Sequence, residues 1–336
     1  MIPLPARRAL LLSPVLLLAA CNGVVMKPSG DIAAQQANLI VISTVLMLII
    51  IVPVIFLTIF FAWRYRKNNT KATYTPDWDH STGLELVIWG APLLIIIALG
   101  LITWISTHLL DPYRPLSRLD AARPLAADVK PLIVEVVALD WKWLFIYPEQ
   151  GIASVNELVA PVDVPVRFKI SASTVMNSFY IPALAGQIYA MPGMQTTLNA
   201  VINKAGVYDG FSANYSGAGF SDMRFKFHGR DAAGFDAWVK SVKAAGGTLD
   251  RAAYLQLEKP SEKVAVRHFG AAEAGLFDAV VERCIEHGAV CMSEMMGHQH
   301  HGAAPAAAVT GKPASPGAAA STTPPTSETT NHAKQH

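Results

Sequence analysis

Two long apolar runs dominate the first third of the chain. The run from Leu39 to Trp63 carries no charged residue, and the run from Leu86 to Thr107 is nearly as apolar, with a tryptophan near each end. At about 1.5 Å per residue, each run can cross a hydrocarbon core of about 30 Å. Pro53 and Pro92 lie inside the runs, where neighbouring groups can satisfy the carbonyls that proline leaves free. The pattern predicts two transmembrane helices, over residues 39–63 and 86–107.

From Pro131 onward the pattern changes to short segments rich in β-branched and aromatic residues, separated by Pro and Gly. These segments read LIVEVVALDWKWLFIYP, VPVRFKIS and TTLNAVIN. Short strands at close spacing predict an all-β sandwich or barrel. Helical periodicity returns from Asp231 to Ala245, where one face carries Phe235, Trp238, Val239 and Val242. A further helix is predicted from Ala272 to His287.

The end of the chain changes composition once more. After about His301 it consists mainly of Ala, Pro, Thr and Ser, which cannot bury a core, so we expect residues 291–336 to be disordered. The tract MSEMMGHQHHG precedes this tail and holds the metal-type donors Met292, Met295, Met296, His298, His300 and His301. Either the tract binds copper loosely or its Met and His residues are incidental. The lack of a framing strand or helix favours the second interpretation.

Composition and charge limit the functional classes. Of the 336 residues, 52% are hydrophobic and 15% charged, which is too apolar for an ordinary soluble protein. The net charge of +2 comes without a basic cluster of the kind that indicates nucleic-acid binding, so we expect no nucleic-acid partner.

The N-terminus has the pattern of an export signal. Arg7 and Arg8 precede a short apolar stretch from Ala9 to Ala19, too short to span a bilayer. The stretch closes on Leu-Ala-Ala-Cys, ending at Cys21, which resembles a bacterial lipobox. That resemblance implies removal of residues 1–20 and acylation of Cys21. The alternative is a plain N-terminal anchor with an incidental cysteine.

Charge also predicts the topology. Basic residues cluster directly after the first run, at Arg64, Arg66, Lys67 and Lys71. Such loops stay in the cytoplasm. Arg114 and Arg118 weaken this bias, but they lead into a long segment, and long segments cross largely regardless of charge. An acylated Cys21 would lie on the outer side. Residues 21–110 are therefore expected to form a hairpin with both ends outside.

Several longer motifs resemble subunit II of the bo-type haem–copper ubiquinol oxidases. They are FAWRYR, LDWKWLFIYPEQGI, VMNSFYIP, GQIYAMPGMQT and YDGFSANYSGAGFSDM. The resemblance runs from the lipobox to about His287. It implies a cupredoxin-like domain over residues 111–230 and a helical segment over 231–290. It also implies a lipid-anchored, two-pass protein of the bacterial inner membrane with its large domain in the periplasm.

The resemblance extends to a copper-binding loop, but not to its ligands. In members that oxidise cytochrome c, this loop reads Cys-x-x-x-Cys-Gly-x-x-His-x-x-Met, and a further His lies one strand earlier. The corresponding residues here are Asn177 for that His, then Ser212, Ser216, Gly217, Phe220 and Met223. Hydroxyl, amide and phenyl groups cannot replace thiolate and imidazole in a soft copper centre. The resemblance therefore implies a copper-free subunit in an oxidase supplied by ubiquinol.

The family's activity follows as an expectation. A complex of this kind oxidises ubiquinol, reduces dioxygen to water and moves protons outward. Its haems and remaining copper belong to subunit I, so this chain is expected to bind no cofactor and to have a structural role. Expected partners are subunit I, the smaller membrane subunits and the lipid bilayer. The chain offers no group suited to oxygen chemistry, because His108 and His228 stand alone in the sequence.

The aromatic run and one carboxylate remain as further candidates. The residues aligned with the electron-receiving region of the cytochrome c branch are Trp141, Trp143, Phe145 and Tyr147. Without copper below them, we expect packing residues. Glu85, at the inner mouth of the second helix, matches a family glutamate near a proton channel. It could collect protons, or it could be a solvated charge that the helix N-terminus stabilises.

The last two cysteines and the overall function leave alternatives. Cys284 and Cys291 could close a small-loop disulfide in an oxidising periplasm, or form a metal site with His287. For the whole chain, the alternatives are a cytochrome c oxidase subunit, a copper-carrying lipoprotein, and a subunit of a quinol oxidase with other haems, such as a ba-type enzyme.

Overall fold

Two helices form the membrane part of the chain. The computed structural model describes residues 23–73, 75, 77–126, 129–286 and 288–295. Helix α1 spans Asp31–Arg64 and helix α2 spans Thr82–Leu109, and both are long and apolar enough to cross a membrane. Each begins before its predicted run and encloses its proline without a break. Their apolar side chains are exposed on most sides, as in helices whose surroundings are lipid or other helices.

The start of α1 is fixed to the domain that follows α2, residues 132–281, which is called the outer domain here. Gly30, directly before the helix, forms an isolated β-bridge with Ile202. A Cβ at Gly30 would lie 2.6 Å from the carbonyl oxygen of Val201, so only glycine fits there. Asp31 and Ala33 are buried. The polar first turns of α1, which hydropathy excluded from the predicted helix, therefore pack on protein.

Strands make up most of the outer domain. In chain order they are β1 (Leu132–Leu139), β2 (Lys142–Tyr147), β3 (Ile152–Val155), β4 (Glu157–Pro161), β5 (Pro165–Ala172), β6 (Asn177–Tyr180), β7 (Ile188–Ala190), β8 (Thr196–Val201), β9 (Gly206–Ser212), β10 (Arg224–Arg230), β11 (Thr248–Leu249), β12 (Arg267–Phe269) and β13 (Ala271–Ala272). Their β-branched and aromatic residues favour pleated, half-buried surfaces.

The strands form two main sheets. The larger has the order β12-β3-β2-β1-β5-β8, the second has the order β4-β10-β9-β6-β7, and β11 pairs separately with β13. Strand β1 is antiparallel to β2 and parallel to β5. The two sheets pack face to face over a shared core, which confirms the predicted all-β domain. The parallel β1–β5 pair requires a crossover connection, which the strand pattern alone did not reveal.

The larger sheet is buried on both faces. Neighbouring residues of β1 alternate between two cores, with Val136 in the core between the sheets and Val137 in the core beneath the C-terminal helices. The large side chains between the sheets include Trp143, Phe145, Phe168, Phe179 and Phe227. The second core includes Leu144, Tyr254, Leu257, Leu276 and Phe277.

Three helices follow the sandwich. They are α3 (Ala232–Ala245), α4 (Arg251–Glu258) and α5 (Leu276–Val281). Asp231 and Asp250 cap α3 and α4 by accepting hydrogen bonds from backbone amides of the first turn. Helix α3 agrees with its sequence prediction, and α4 was not predicted.

The last predicted helix is much shorter than expected. Ala272 does not start it, because this residue pairs with Leu249 in the β11–β13 ladder, and Gly275 takes the left-handed conformation at φ 76°. Only α5 remains helical within the predicted range. The segment 231–290 is also not purely helical, since β12 completes the edge of the larger sheet by pairing with β3.

Candidate functional site

Two of the residues that the resemblance matches to copper ligands meet at the end of the second sheet. Asn177 opens β6 and Ser212 closes β9, and both are buried. The Ser212 hydroxyl lies 3.0 Å from Oδ1 of Asn177 and donates to it. The Asn177 amide nitrogen donates to the Val175 carbonyl over 3.1 Å. The polar atoms of this pair are therefore satisfied by the protein itself.

The remaining positions lie in the loop between β9 and β10. Oγ of Ser216 lies 4.0 Å from Sδ of Met223, and Met223 is only 1% exposed. The Met223 carbonyl accepts the Ser212 amide over 3.2 Å. Phe220 begins a short 3₁₀ helix, Phe220–Asp222, and packs edge-on against Tyr215 at a centroid distance of 5.7 Å. The fold thus brings all five positions to one end of the domain.

Trp141 packs against the loop between β9 and β10. Its indole nitrogen donates to the Ser216 carbonyl over 3.0 Å. A Cβ at Gly219 would lie 2.5 Å from the Trp141 ring, and Gly217 has φ 112°. The Trp141 ring occupies the space that a side chain at Gly217 or Gly219 would fill. The conformation of the loop therefore depends on its packing against this ring.

This donor set does not fit copper. A soft copper centre needs thiolate and imidazole, whereas these positions supply an amide, two hydroxyls, a phenyl ring and one thioether. The Asn177 and Ser212 groups also already bond to each other. Among the described residues, no group of three or more His, Cys, Asp or Glu could hold a metal ion.

The other aromatic residues of the run are packing residues. Trp143, Phe145 and Tyr147 are fully buried between the sheets. The Tyr147 hydroxyl donates to the Val159 carbonyl and accepts from the Val159 amide, each over 2.9 Å. Burial raises the pKa of Tyr147, the largest effect on this group.

Glu85 lies in the first turn of α2 beside a histidine that the sequence did not single out. Oε1 of Glu85 is 2.7 Å from Nδ1 of His80, and both side chains are about half exposed or more. Nε2 of His80 lies 3.2 Å from the Thr82 hydroxyl. The carboxylate and the imidazole form a polar pair at the end of the helix that follows the basic loop.

His228 is not isolated in the structure. Its Nε2 atom lies 3.5 Å from Oε1 of Glu157. Oε2 of Glu157 lies 2.7 Å from Nε2 of His268 and accepts the Trp238 indole over 3.0 Å. Burial is the largest influence on His228 and lowers its pKa, Glu157 opposes this, and nearby Arg230 and Lys226 lower the pKa further. His108, by contrast, is exposed, with Nδ1 2.8 Å from the Trp104 carbonyl.

The C-terminal segment brings two cysteines together. Cys284 and Cys291 are joined by a disulfide, with Cα atoms 4.8 Å apart. Residues 292–295 then form one helical turn, so Met292 and Met295 are framed by regular structure, contrary to expectation. The other residues singled out in the sequence, Cys21, His287, Met296, His298, His300 and His301, lie outside the described residues.

A cupredoxin-like sandwich on two membrane-crossing helices is the architecture of subunit II of the haem–copper oxidases. The family model for the periplasmic domain of cytochrome c oxidase subunit II matches residues 133–228. The model for the COX aromatic rich motif matches residues 243–288.

Relatives define the family more closely. Cytochrome bo(3) ubiquinol oxidase subunit 2 of Pseudomonas putida is 52% identical over 80% of this chain and 83% of its own length. Its counterpart in Pseudomonas aeruginosa is 48% identical over 92% and 90%. Ubiquinol oxidase subunit 2 of Acetobacter aceti is 50% identical over 81% and 86%. The chain belongs to the family of subunit 2 of the ubiquinol oxidases.

Proposed function

We propose that this chain is the copper-free subunit II of a terminal oxidase that oxidises ubiquinol, reduces dioxygen to water and translocates protons outward. In this proposal the chain carries no electrons and binds no cofactor. Haems and copper belong to subunit I, with which this chain assembles together with smaller membrane subunits. The chain is anchored in the inner membrane by its two helices and by an acylated Cys21.

The hydrogen bond between Ser212 and Asn177 is the main support for a copper-free subunit. In a copper site both positions would hold a metal ligand with a free lone pair. Here each polar group is buried and has a hydrogen-bond partner within the protein. Burial of these groups is therefore compensated without a metal ion. Electrons that cannot enter through copper in this domain must come from a donor that reaches subunit I, and a membrane-soluble quinol is such a donor.

The structural role rests on how the domain is built. The core between the sheets and the core beneath α4 and α5 lie on the two faces of the larger sheet, and α1 is buried against this domain at Asp31 and Ala33. Such a domain can cover the outer face of subunit I while the two helices pack beside it.

A chemical role at Glu85 is the second part of the proposal. Its carboxylate lies 2.7 Å from Nδ1 of His80 at the expected cytoplasmic end of α2. Carboxylate and imidazole groups both exchange protons with water. A pair of this kind at the membrane boundary could collect protons for a channel in subunit I.

The test uses the intact purified complex. We would compare turnover with ubiquinol and with reduced cytochrome c, and measure copper content and the paramagnetic resonance spectrum. We expect turnover with ubiquinol only, and no mixed-valence dinuclear copper signal after copper is added. Oxidation of cytochrome c together with that signal would contradict the proposal.

A variant with restored donors provides the positive control. It combines Asn177→His, Ser212→Cys, Ser216→Cys and Phe220→His and keeps Met223. Because all five positions lie at one end of the domain, this variant should develop thiolate–copper absorption under the same conditions. A positive result would show that the assay can detect a copper centre at this loop. The absence of thiolate–copper absorption in the natural protein would then mean that the loop holds no such centre.

A further inference from the structure

We propose that a cavity where α1 and α2 meet the outer domain binds the headgroup of one zwitterionic phospholipid. The cavity has a volume of about 200 Å³. Residues from the first turns of α1, the end of α2 and the following loop line it. The inference goes beyond the proposed function and rests on its placement of the two helices across the membrane with the domain on the outer side.

The height of the cavity matches the headgroup layer. Exposed apolar side chains begin at Ile40 on α1 and end at Leu109 on α2. Gln36, which lines the cavity, precedes Ile40 by one turn, or about 6 Å along the helix axis. The polar layer of a bilayer is roughly 5–8 Å thick on each side of the hydrocarbon core. The cavity therefore opens where phosphate and amine groups of outer-leaflet lipids lie.

The charges in the cavity balance. Its lining contains the arginines Arg114 and Arg118 and the aspartates Asp31 and Asp111. A single anion would meet as much negative as positive charge. A headgroup that carries a phosphate and an ammonium can pair with both signs, and a phosphate is a good partner for guanidinium. This balance favours a zwitterionic headgroup over an acidic one.

Part of this charge is already fixed in place. Arg118 donates through Nε to the buried Asp31 over 3.0 Å, and Gln35 donates to the same carboxylate over 2.7 Å. Within the described residues, the terminal nitrogens of Arg118 have no recorded partner, so they can donate to a phosphate. The pair thus holds one guanidinium in a fixed position at the cavity wall.

The other two charges are exposed. Arg114 makes one long bond, 3.4 Å, to the His108 carbonyl at the end of α2. Asp111 accepts the Tyr113 amide through Oδ1 over 2.9 Å. Oδ2 of Asp111 has no recorded partner in the described part of the chain, so it can accept from an ammonium. Leu110 and Leu116 supply apolar lining beside these groups.

Site-specific photo-crosslinking in the intact complex identifies the occupant. A photoreactive residue at Leu116 is activated in nanodiscs made from equal parts of phosphatidylethanolamine and phosphatidylglycerol. We expect an adduct with the mass of phosphatidylethanolamine. The same residue at Val207, exposed on β9 of the outer domain, should give no lipid adduct. A crosslink from Leu116 to another subunit, or no lipid adduct there, would overturn the proposal.

Two charge variants test the headgroup assignment. Arg114→Gln should reduce the lipid adduct about tenfold, because a charge-assisted hydrogen bond is lost. The matched control Arg267→Gln, at an exposed position on β12, should leave the yield unchanged. Asp111→Asn makes the cavity net positive, so the adduct should shift from phosphatidylethanolamine toward phosphatidylglycerol. An unchanged ratio of the two lipids would contradict recognition of the ammonium group.

Discussion

The hydroxyl of Ser212 donates a 3.0 Å hydrogen bond to the side-chain oxygen of Asn177 and so ties the end of β9 to the start of β6. Both residues are buried. When one of them is truncated, the other therefore loses a hydrogen-bond partner that water does not replace. Two residues that the resemblance matches to copper ligands form a structural contact in this chain.

A double-mutant cycle measures this contact. Asn177→Ala and Ser212→Ala should each destabilise the domain by about 1–3 kcal/mol, with a coupling of about 1 kcal/mol between them. Urea unfolding of the full chain in detergent, followed by tryptophan fluorescence, gives these values. The exposed pair Lys226–Asp209 serves as the reference and should show a coupling near zero. Fully additive effects at Asn177 and Ser212 would mean that the bond contributes nothing.

Stability should fall as the pH drops below the ordinary pKa of histidine. Burial lowers the pKa of His228 in the folded state from its usual 6.5. Above pH 6.5 both states are neutral at this group, and below it the unfolded chain takes the proton first. The free energy of unfolding then decreases, by at most about 1.4 kcal/mol per pH unit.

Denaturant midpoints between pH 8 and pH 5.5 test this behaviour. His228→Gln should flatten the dependence relative to the natural chain, and His80→Gln, in the exposed loop before α2, serves as the control. The difference between the chains reports on His228 together with its contact to Glu157. Identical slopes in all three proteins would refute the assignment.

Lys142 should hold the segment after α4 to the sandwich. Its buried ammonium donates to the Lys259 carbonyl over 2.8 Å and to the Ser261 hydroxyl over 2.7 Å. Burial lowers the pKa of Lys142, although Asp140 and Glu258 oppose this. Lys142→Met keeps the bulk but removes the donor to these two acceptors, so we expect a loss of about 1–3 kcal/mol.

Limited proteolysis locates that loss. Cleavage between residues 259 and 266 should become faster in Lys142→Met, together with the lower unfolding midpoint. Lys226→Met removes an exposed ammonium and should change stability by less than about 1 kcal/mol. Unchanged cleavage of the segment would show that other contacts hold it.

Glu85→Gln should slow proton-coupled turnover of the complex. The amide keeps the size of the carboxylate but cannot accept a proton from His80 or from water. We expect lower ubiquinol oxidation with unchanged subunit and haem content. Glu273→Gln, on the outer domain beside Arg251, is the control. Full turnover in an assembled Glu85→Gln complex would leave this residue as a solvated flanking charge.

Local sequence patterns predicted the parts of the molecule that depend on neighbours along the chain. The apolar runs marked both membrane helices, and the face of Phe235, Trp238 and Val242 marked α3. Ser212 and Met223 were related to each other through the resemblance to a copper-binding loop, which contains both. Their closeness in space follows from closeness in sequence.

Other features depend on contacts between distant segments. Glu157, His228 and His268 come from β4, β10 and β12, and no spacing in the sequence links them. The helix expected from Ala272 was shortened by a ladder of only two residue pairs with β11, which is too short to leave a pattern. Asp31 lies outside the membrane helix predicted over residues 39–63, and the sequence pattern gave no sign that Arg118, which is distant in the chain, would pair with its buried carboxylate.

The continuity of helix α1 affects the position of the outer domain relative to the membrane. The helix runs without interruption from its buried start at Asp31 through its exposed apolar turns to Arg64. One residue inserted after Ala37 would rotate everything before it by about 100° and raise it by about 1.5 Å. This single continuous helix therefore sets both the distance of the outer domain from the membrane and the rotation of the domain about the helix axis. The number of residues in the helix thus aligns the domain.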